Sequence, residues 1–151
     1  MSIDEAHRLR IKFPEDGVTL GSFVSSIEPG LYRLEEGAAG CVEATYGDIV
    51  ALREQGDGIF VFEGIVTPSG LKRYFYLLSA ERIAMPACQA LLAEVMHQGG
   101  YWQQDFGGML DIYLSSNATL DVETVVESLT ARSGIDMGIG RTYTSDIDKL
   151  A

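Results

Sequence analysis

Three runs of β-branched and aromatic residues, separated by short turns, place the strongest constraint on the fold. The runs are residues 48–54, 59–66 and 71–78, and residues 55–58 and 67–70 separate them. Such side chains suit pleated, mostly buried strands, and glycine- or proline-containing turns favour pairing between strands that follow each other in sequence. The pattern therefore predicts an antiparallel three-strand meander.

Further strands are predicted before this meander. Apolar Leu9, Ile11 and Phe13 alternate with basic residues, which gives residues 8–13 the period of a strand with one buried face. Residues 31–34 form a short strand candidate after a proline-glycine turn. The remainder of residues 14–46 shows no periodicity from which a topology follows.

The second half alternates helical and strand patterns. Pro86 can begin a helix, whose predicted buried stripe is Cys88, Leu91, Leu92, Val95 and Met96. Residues 101–106 and 109–114 are predicted to form a hairpin around a two-residue Gly107-Gly108 turn. Thr119 is the predicted N-cap of a second helix, with the stripe Val122, Val125, Val126 and Leu129. Residues 137–143 form a possible last strand.

From Leu71 onward the order is strand, helix, strand, strand, helix, strand, which matches the split βαβ arrangement of ferredoxin-like domains. We therefore predict an α+β fold, an antiparallel sheet meander followed by a ferredoxin-like arrangement with two helices. One compact domain is expected over residues 1–145, with a strand-rich lobe (8–70) and a ferredoxin-like lobe (71–143). Residues 144–151 are expected to form a frayed acidic tail.

Net charge narrows the range of partners. A formal charge of −11 repels nucleic-acid phosphates and anionic lipid heads, and it favours partners with a basic face. We expect no nucleic-acid and no membrane partner. The first residues lack the basic and apolar regions of a signal peptide, so a cytoplasmic location is expected, with Cys41 and Cys88 as reduced core residues.

Residues typical of catalytic centres are few. His7 and His97 are isolated, and no histidine or cysteine spacing resembles a metal site, so no metal and no cofactor are expected. The remaining enzymatic interpretation is a carboxylate pair, Asp105 and Asp111, on adjacent strands of the predicted hairpin. Two nearby acids can divide the roles of general acid and general base. The alternative is that both are solvated strand acids.

Several short segments resemble a known family. Residues 30–34, 46–50, 58–66 and Ser69-Gly70 resemble a bacterial family of small proteins that is catalogued only as a domain of unknown function, and the likeness spans roughly residues 8–135. That family usually has a threonine soon after the Ser-Gly turn, where this chain has Leu71-Lys72-Arg73. The resemblance implies no catalytic residues. Small acidic proteins of this kind look like the partners that bacteria encode beside secreted toxins.

We therefore expect a binding protein rather than an enzyme: an immunity-type protein that docks on a cognate toxin with a basic face and occludes its active site. A homo-oligomer is also compatible with the sequence. The aromatic residues Tyr101, Trp102 and Phe106 of the predicted hairpin suit either an interface or a sheet that packs on two helices, and Trp102 is the first interface candidate. Two alternatives are a small carboxylate-dependent hydrolase or transferase and a small-molecule-binding regulatory domain. The predicted partner-binding residues are Asp16, Glu35, Glu36, Glu43, Asp48, Asp57, Trp102 and Asp105.

Overall fold

The computed structural model describes residues 7–37, 43–133 and 139–144. The chain is a mixed α+β protein with mostly antiparallel sheets, and it divides into two compact units with a boundary between Ser69 and Gly70. The prediction that one compact domain covers residues 1–145 stays a prediction. Residues 145–151 of the predicted tail lie outside the described residues, as does Cys41.

The first unit is a closed barrel of five strands in sequence order. The strands are β1 (His7–Phe13), β2 (Val18–Glu28), β3 (Leu31–Leu34), β4 (Ile49–Gly56) and β5 (Ile59–Thr67). Consecutive strands pair antiparallel, and β1 closes the barrel by parallel pairing with β5. The predicted strands at 8–13, 31–34, 48–54 and 59–66 are confirmed to within two residues. The buried core of the barrel consists of Ile11, Phe13, Val24, Leu34, Ala44, Val50 and Leu52.

Strand β2 is the barrel element that the sequence pattern did not predict. Its buried side chains include Ser22 and Ser25, which are 1% and 9% exposed, whereas Phe23 and Ile27 are 41% and 42% exposed. The usual alternation of apolar-inward and polar-outward residues is therefore partly inverted. A period-two search for apolar residues misses a strand of this kind.

In its described residues, the second unit is a four-stranded antiparallel sheet with strand order β7-β8-β6-β9 and three helices. One face of the sheet packs with α2 and α3 around a core that includes Tyr74, Tyr76, Leu92 and Ile112. The elements are, in chain order, β6 (Leu71–Leu77), α1 (Ala80–Ile83), α2 (Pro86–His97), β7 (Tyr101–Asp105), β8 (Met109–Ser115), α3 (Val122–Ser133) and β9 (Ile139–Thr144).

The predicted pairing of residues 59–66 with residues 71–78 is wrong. Strand β6 pairs antiparallel with β8 and β9, whereas both edges of β5 are already occupied by β4 and β1. The residues between β5 and β6 are therefore not a hairpin turn. Within this connection, the Ser69 N–H donates to Asp48 Oδ1 at 2.7 Å. Strand-forming residues and turn residues indicate that strands exist, but they do not choose each strand's partner.

Helix boundaries and stripes differ from the prediction at three points. Asp121, not Thr119, caps α3, because its carboxylate accepts from the Thr124 N–H at 3.0 Å and from Thr124 Oγ1 at 2.8 Å. Met96 does not belong to the buried stripe of α2, since it is 52% exposed. The short helix α1 was not predicted. The remaining apolar stripes of α2 and α3 are confirmed, apart from a half-buried Val125.

The predicted second hairpin is confirmed, but its turn has three residues rather than two. The strands end with Asp105 opposite Met109, so Phe106, Gly107 and Gly108 form the loop. Phe106 and Gly107 both have positive φ values, +53° and +79°. In the part of the chain that the structure describes, no helix has the length and apolar character that a bilayer crossing requires.

Candidate partner-binding site

Two of the predicted acids, Asp16 and Glu43, lie against each other beside the β1–β2 turn of the barrel. The Asp16 N–H donates to Glu43 Oε2 at 2.6 Å, and the Glu43 N–H donates to Asp16 Oδ2 at 3.1 Å. The turn is tight, because the Gly17 N–H donates to the Phe13 carbonyl at 2.9 Å and Gly17 takes a φ of +69°, which favours glycine. We call Asp16 and Glu43 the acid pair.

The acid pair concentrates negative charge in a half-buried place. Burial raises the pKa of the Glu43 carboxyl above its usual range, and the negative charges of Asp16 and Glu15 raise it further, against the opposing effect of the Asp16 N–H bond. Among the described residues, no lysine or arginine forms an ion pair with Glu43. A cation brought by a partner would relieve this repulsion.

Glu35 and Glu36 have partners within the barrel wall. Glu35 Oε2 accepts from Ser25 Oγ at 2.7 Å and from Arg33 Nε at 3.0 Å. Glu36 Oε2 accepts from the Phe23 N–H at 2.9 Å and lies 3.6 Å from Arg8 Nη1. Both side chains fix the segment after β3 to β2, and each lies beside an arginine.

The assignment of Asp48 to a partner-binding surface is wrong, because its side chain is fully buried. Asp48 Oδ2 accepts from the Thr45 N–H at 2.9 Å, and Oδ1 accepts from the Ser69 N–H at 2.7 Å. The carboxylate therefore accepts hydrogen bonds from two backbone N–H groups, one in the segment before β4 and one in the segment after β5. Asp48 is a structural residue of the barrel.

Asp57 occupies the place that was predicted for it, an exposed turn between β4 and β5. Its φ is +57°, a conformation that aspartate and asparagine adopt more readily than most other residues. Its role in binding stays a prediction.

Trp102 and Asp105 both lie on β7 but on opposite faces of the sheet. Trp102 is half-buried and packs against the core formed with the helices. Asp105 is half-buried and accepts from Gln103 Nε2 at 2.7 Å. The surroundings of Trp102 favour the core interpretation over the interface interpretation.

Asp105 and Asp111 lie diagonally on one face of the β7–β8 hairpin, but Asp111 is bound to an arginine. Asp111 Oδ1 accepts from Arg73 Nε at 2.7 Å, and the two side chains are 0% and 3% exposed. Burial raises the pKa of the Asp111 carboxyl, and the Arg73 guanidinium partly offsets this increase. Among the described residues, no donor reaches Asp111 Oδ2.

A pocket of about 260 Å³ lies beside the N-terminus of α3. Its lining includes Lys72, Tyr74, Ser115 and Asp121, and the Lys72 ammonium lies 5.3 Å from the centre of the Tyr74 ring. Neither Asp105 nor Asp111 lines the pocket. The hydrolase interpretation, which needs a pKa-raised acid that opens into a pocket, stays a prediction.

His97 and Cys88 lie away from the residues of these candidate sites. His97 is exposed in the last turn of α2, where a positive charge interacts favourably with the helix dipole. Cys88 is a free, fully buried cysteine, and burial raises the pKa of its thiol. Residues 7–37, 43–133 and 139–144 contain no group of three or more side chains arranged to hold a metal ion.

Phe106 was not among the predicted partner-binding residues, yet at 86% it has the greatest exposure of any large apolar side chain in the described residues. It lies in the β7–β8 turn, next to Asp105 and the two glycines. The signal was present in the sequence, because a phenylalanine directly before a Gly-Gly turn has nowhere to pack on its own hairpin. The prediction placed Phe106 at the end of a strand and preferred the core interpretation for the aromatic residues of this hairpin.

Comparison with known proteins shows the fold and no family. No protein-family model matches the chain, and no curated protein matches it significantly in sequence. Among solved structures, the chain is similar to a hypothetical protein from Neisseria gonorrhoeae, with a TM-score of 0.59 and 15% sequence identity. The similarity covers 90% of this chain and 92% of that chain. At this identity it shows a shared fold alone.

Proposed function

We propose that the chain is a bacterial, cytoplasmic immunity-type protein that docks on a cognate toxin with a basic face and occludes the toxin's active site. The observation that carries the proposal is the acid pair, Asp16 and Glu43, held together by reciprocal backbone hydrogen bonds. We also propose that the chain belongs to the bacterial family of unknown function that residues 30–70 resemble.

Preorganisation makes the acid pair suitable for a basic partner. The two carboxylates are already fixed by backbone donors at 2.6 and 3.1 Å, so little side-chain entropy is lost when a partner binds. Their mutual repulsion is present in the free protein, and a lysine or arginine of the partner would relieve it. Binding at this point is therefore favoured by charge and by geometry together.

Exposed acids around the barrel have a different role in the proposal. Glu15 and Asp57 are solvent-exposed turn residues, and charges of this kind mainly accelerate the encounter with an oppositely charged partner. We therefore expect Glu15 and Asp57 to affect the association rate and its dependence on salt. Glu35 and Glu36, with arginine partners in the barrel, are expected to contribute less.

We further infer that the second unit has a ferredoxin-like arrangement. The strand order β7-β8-β6-β9 supports this inference, as does the position of α2 between β6 and β7 and of α3 between β8 and β9. The inference concerns architecture only, because ferredoxin-like domains have many unrelated functions.

The proposed function is tested by affinity capture of the tagged protein from its native bacterium, followed by mass spectrometry and a salt series. The expected result is one stoichiometric basic protein whose capture weakens as salt increases. That protein, expressed alone, should inhibit growth, and co-expression of this chain should restore growth. Capture of no partner, or of a partner without toxicity, would refute the proposal.

Two glutamates provide a matched pair of variants for the site. Glu15 lies in the turn beside the acid pair and Glu28 lies at the other end of β2; both are exposed and both neighbour a proline. Glu15→Lys and Glu28→Lys change the net charge equally. We expect Glu15→Lys to slow association by about tenfold at low salt, since it places a cation beside the acid pair, and Glu28→Lys to slow it by less than about threefold. Equal effects would show that only net charge matters.

A further inference from the structure

We infer that Phe106 is the apolar anchor through which this chain holds its protein partner, by inserting its ring into an apolar pocket with a basic rim. This inference rests on the proposed function and adds a contact that is separate from the acid pair. Phe106 is 86% exposed at the tip of the β7–β8 hairpin. Aromatic side chains that become fully desolvated in a complex dominate the binding energy of many interfaces.

The backbone conformation of Phe106 is unfavourable for a phenylalanine. A φ of +53° is a left-handed conformation, which is uncommon for a bulky residue and which glycine adopts without cost. An exposed ring gains nothing from burial in the hairpin to compensate for this conformation. Folding alone therefore gives no reason for a phenylalanine at this position.

The turn holds Phe106 in a fixed position. Gln104 Nε2 donates to the Gly107 carbonyl at 2.8 Å, and the Leu78 N–H donates to the Gly108 carbonyl at 2.9 Å. A Cβ atom at Gly108 would lie 2.8 Å from the Leu78 carbonyl oxygen, so only glycine allows this close approach. A turn whose backbone is already ordered loses little backbone entropy when Phe106 binds a partner.

The charge beside the ring indicates which kind of partner fits. Asp105 precedes Phe106, and the chain carries a net charge of −11. An anionic membrane would be repelled by these charges, and a symmetric contact between two copies through Phe106 would bring two Asp105 side chains together. An apolar protein pocket with lysine or arginine at its rim satisfies both the ring and the carboxylate.

Phe106→Gly separates binding from folding. The substitution removes the ring and replaces a strained residue with one that favours positive φ, so the melting temperature should be unchanged or higher by up to about 3 °C. Met96→Ala is the matched control, because Met96 is also an exposed apolar residue of this unit, at 52%. The full-length chain is used for all variants.

The experiment measures binding of the captured partner, purified after identification, to the wild type and to both variants by biolayer interferometry. We expect Phe106→Gly to raise the Kd by roughly 30-fold or more, mainly through faster dissociation. Met96→Ala should change the Kd by less than about threefold. Glu15→Lys acts on association instead, so the two contacts are distinguished by kinetics.

Several results would overturn the inference. An unchanged Kd for Phe106→Gly, while Glu15→Lys still slows association, refutes the anchor and leaves the proposed function standing. A melting temperature lowered by more than about 3 °C gives Phe106 a role in folding instead. If the wild type self-associates and Phe106→Gly does not, the ring binds a second copy of the chain. If the wild type binds phosphatidylcholine–phosphatidylglycerol vesicles and Phe106→Gly does not, the ring binds a membrane. Capture of no partner by the wild type refutes both proposals.

Discussion

Replacement of Asp111 by asparagine is expected to destabilise the second unit strongly. Asp111→Asn keeps the shape of the side chain and still offers an oxygen to Arg73 Nε, but it removes the charge that compensates a guanidinium only 2.7 Å away. Arg73 is 2% exposed and cannot lose its proton, so its charge stays buried after the charge of Asp111 has been removed.

The burial of Asp111 and Arg73 determines how much stability the substitution removes. Removal of one partner from a buried ion pair costs about 3–5 kcal/mol. The new amide group adds to this cost, because it replaces Oδ2, for which the described residues provide no hydrogen-bond partner. For a chain of this length, the loss corresponds to a decrease in melting temperature of roughly 6–20 °C.

Urea unfolding followed by circular dichroism measures this loss, and a double-mutant cycle isolates the pair. Arg73→Met should cost less than Asp111→Asn, since the carboxyl can take up a proton whereas the guanidinium cannot release one. Arg73→Met/Asp111→Leu should be more stable than the sum of the separate Arg73→Met and Asp111→Leu effects predicts, because neither charge is then left buried.

The dependence on pH provides a second measurement. Burial already raises the pKa of Asp111 in the folded protein, and removal of Arg73 should raise it further. The stability of Arg73→Met should therefore be highest below the unfolded-state pKa of the carboxyl and decrease as the pH rises through the folded-state pKa. A cost of less than about 1 kcal/mol for Asp111→Asn, or additive effects in the cycle, would refute the buried ion pair.

Two further predictions concern acids that hold backbone donors. Asp48→Ala should lower the free energy of unfolding of the barrel in urea by about 2–4 kcal/mol, because the Thr45 and Ser69 N–H groups lose their acceptor. Glu54 is exposed, and Glu54→Ala should change the free energy of unfolding by less than about 0.5 kcal/mol. The hydrogen bonds from Thr124 lower the pKa of Asp121 in the folded protein. The stabilisation that Asp121 provides is therefore present above its unfolded-state pKa near 3.8, and it is lost as the pH falls through the lower folded-state pKa. The difference in melting temperature between the wild type and Asp121→Ala should therefore be smaller near pH 2 than near pH 7; an equal difference at both would contradict this assignment.

Much of the secondary structure follows from local patterns in the sequence. The stripe of α2 and the alternation of β1 each depend on residues a few positions apart, and both are present in the structure. Strand β2 was missed since it buries serines and exposes Phe23. The partner of β6 was predicted wrongly because pairing depends on which strand edges remain free, and no local pattern contains that information.

The candidate site was less predictable than the fold. Asp16 and Glu43 were selected as turn acids, but their contact depends on closure of the barrel across 27 residues of sequence. Asp48 was selected on the same grounds, yet two backbone donors hold it in the interior. Arg73 was passed over because a charged residue between lysine and tyrosine in a strand resembles a solvated residue. Charge and turn context therefore do not separate a surface acid from a buried one.

The pairing of β6 also has a consequence for synthesis of the chain on the ribosome. All five strands of the barrel lie within residues 7–67, and β1 closes it by pairing with β5. Strand β6 is central in its sheet, and one of its two neighbours is β9, which is translated after every other strand. Because domains fold as units during translation, we expect the barrel to form first. Strand β6, with its arginine and three aromatic residues, then stays without β9 until residues 139–144 leave the exit tunnel. We expect the nascent chain to be most prone to aggregation during that interval, and chaperones to bind it at β6.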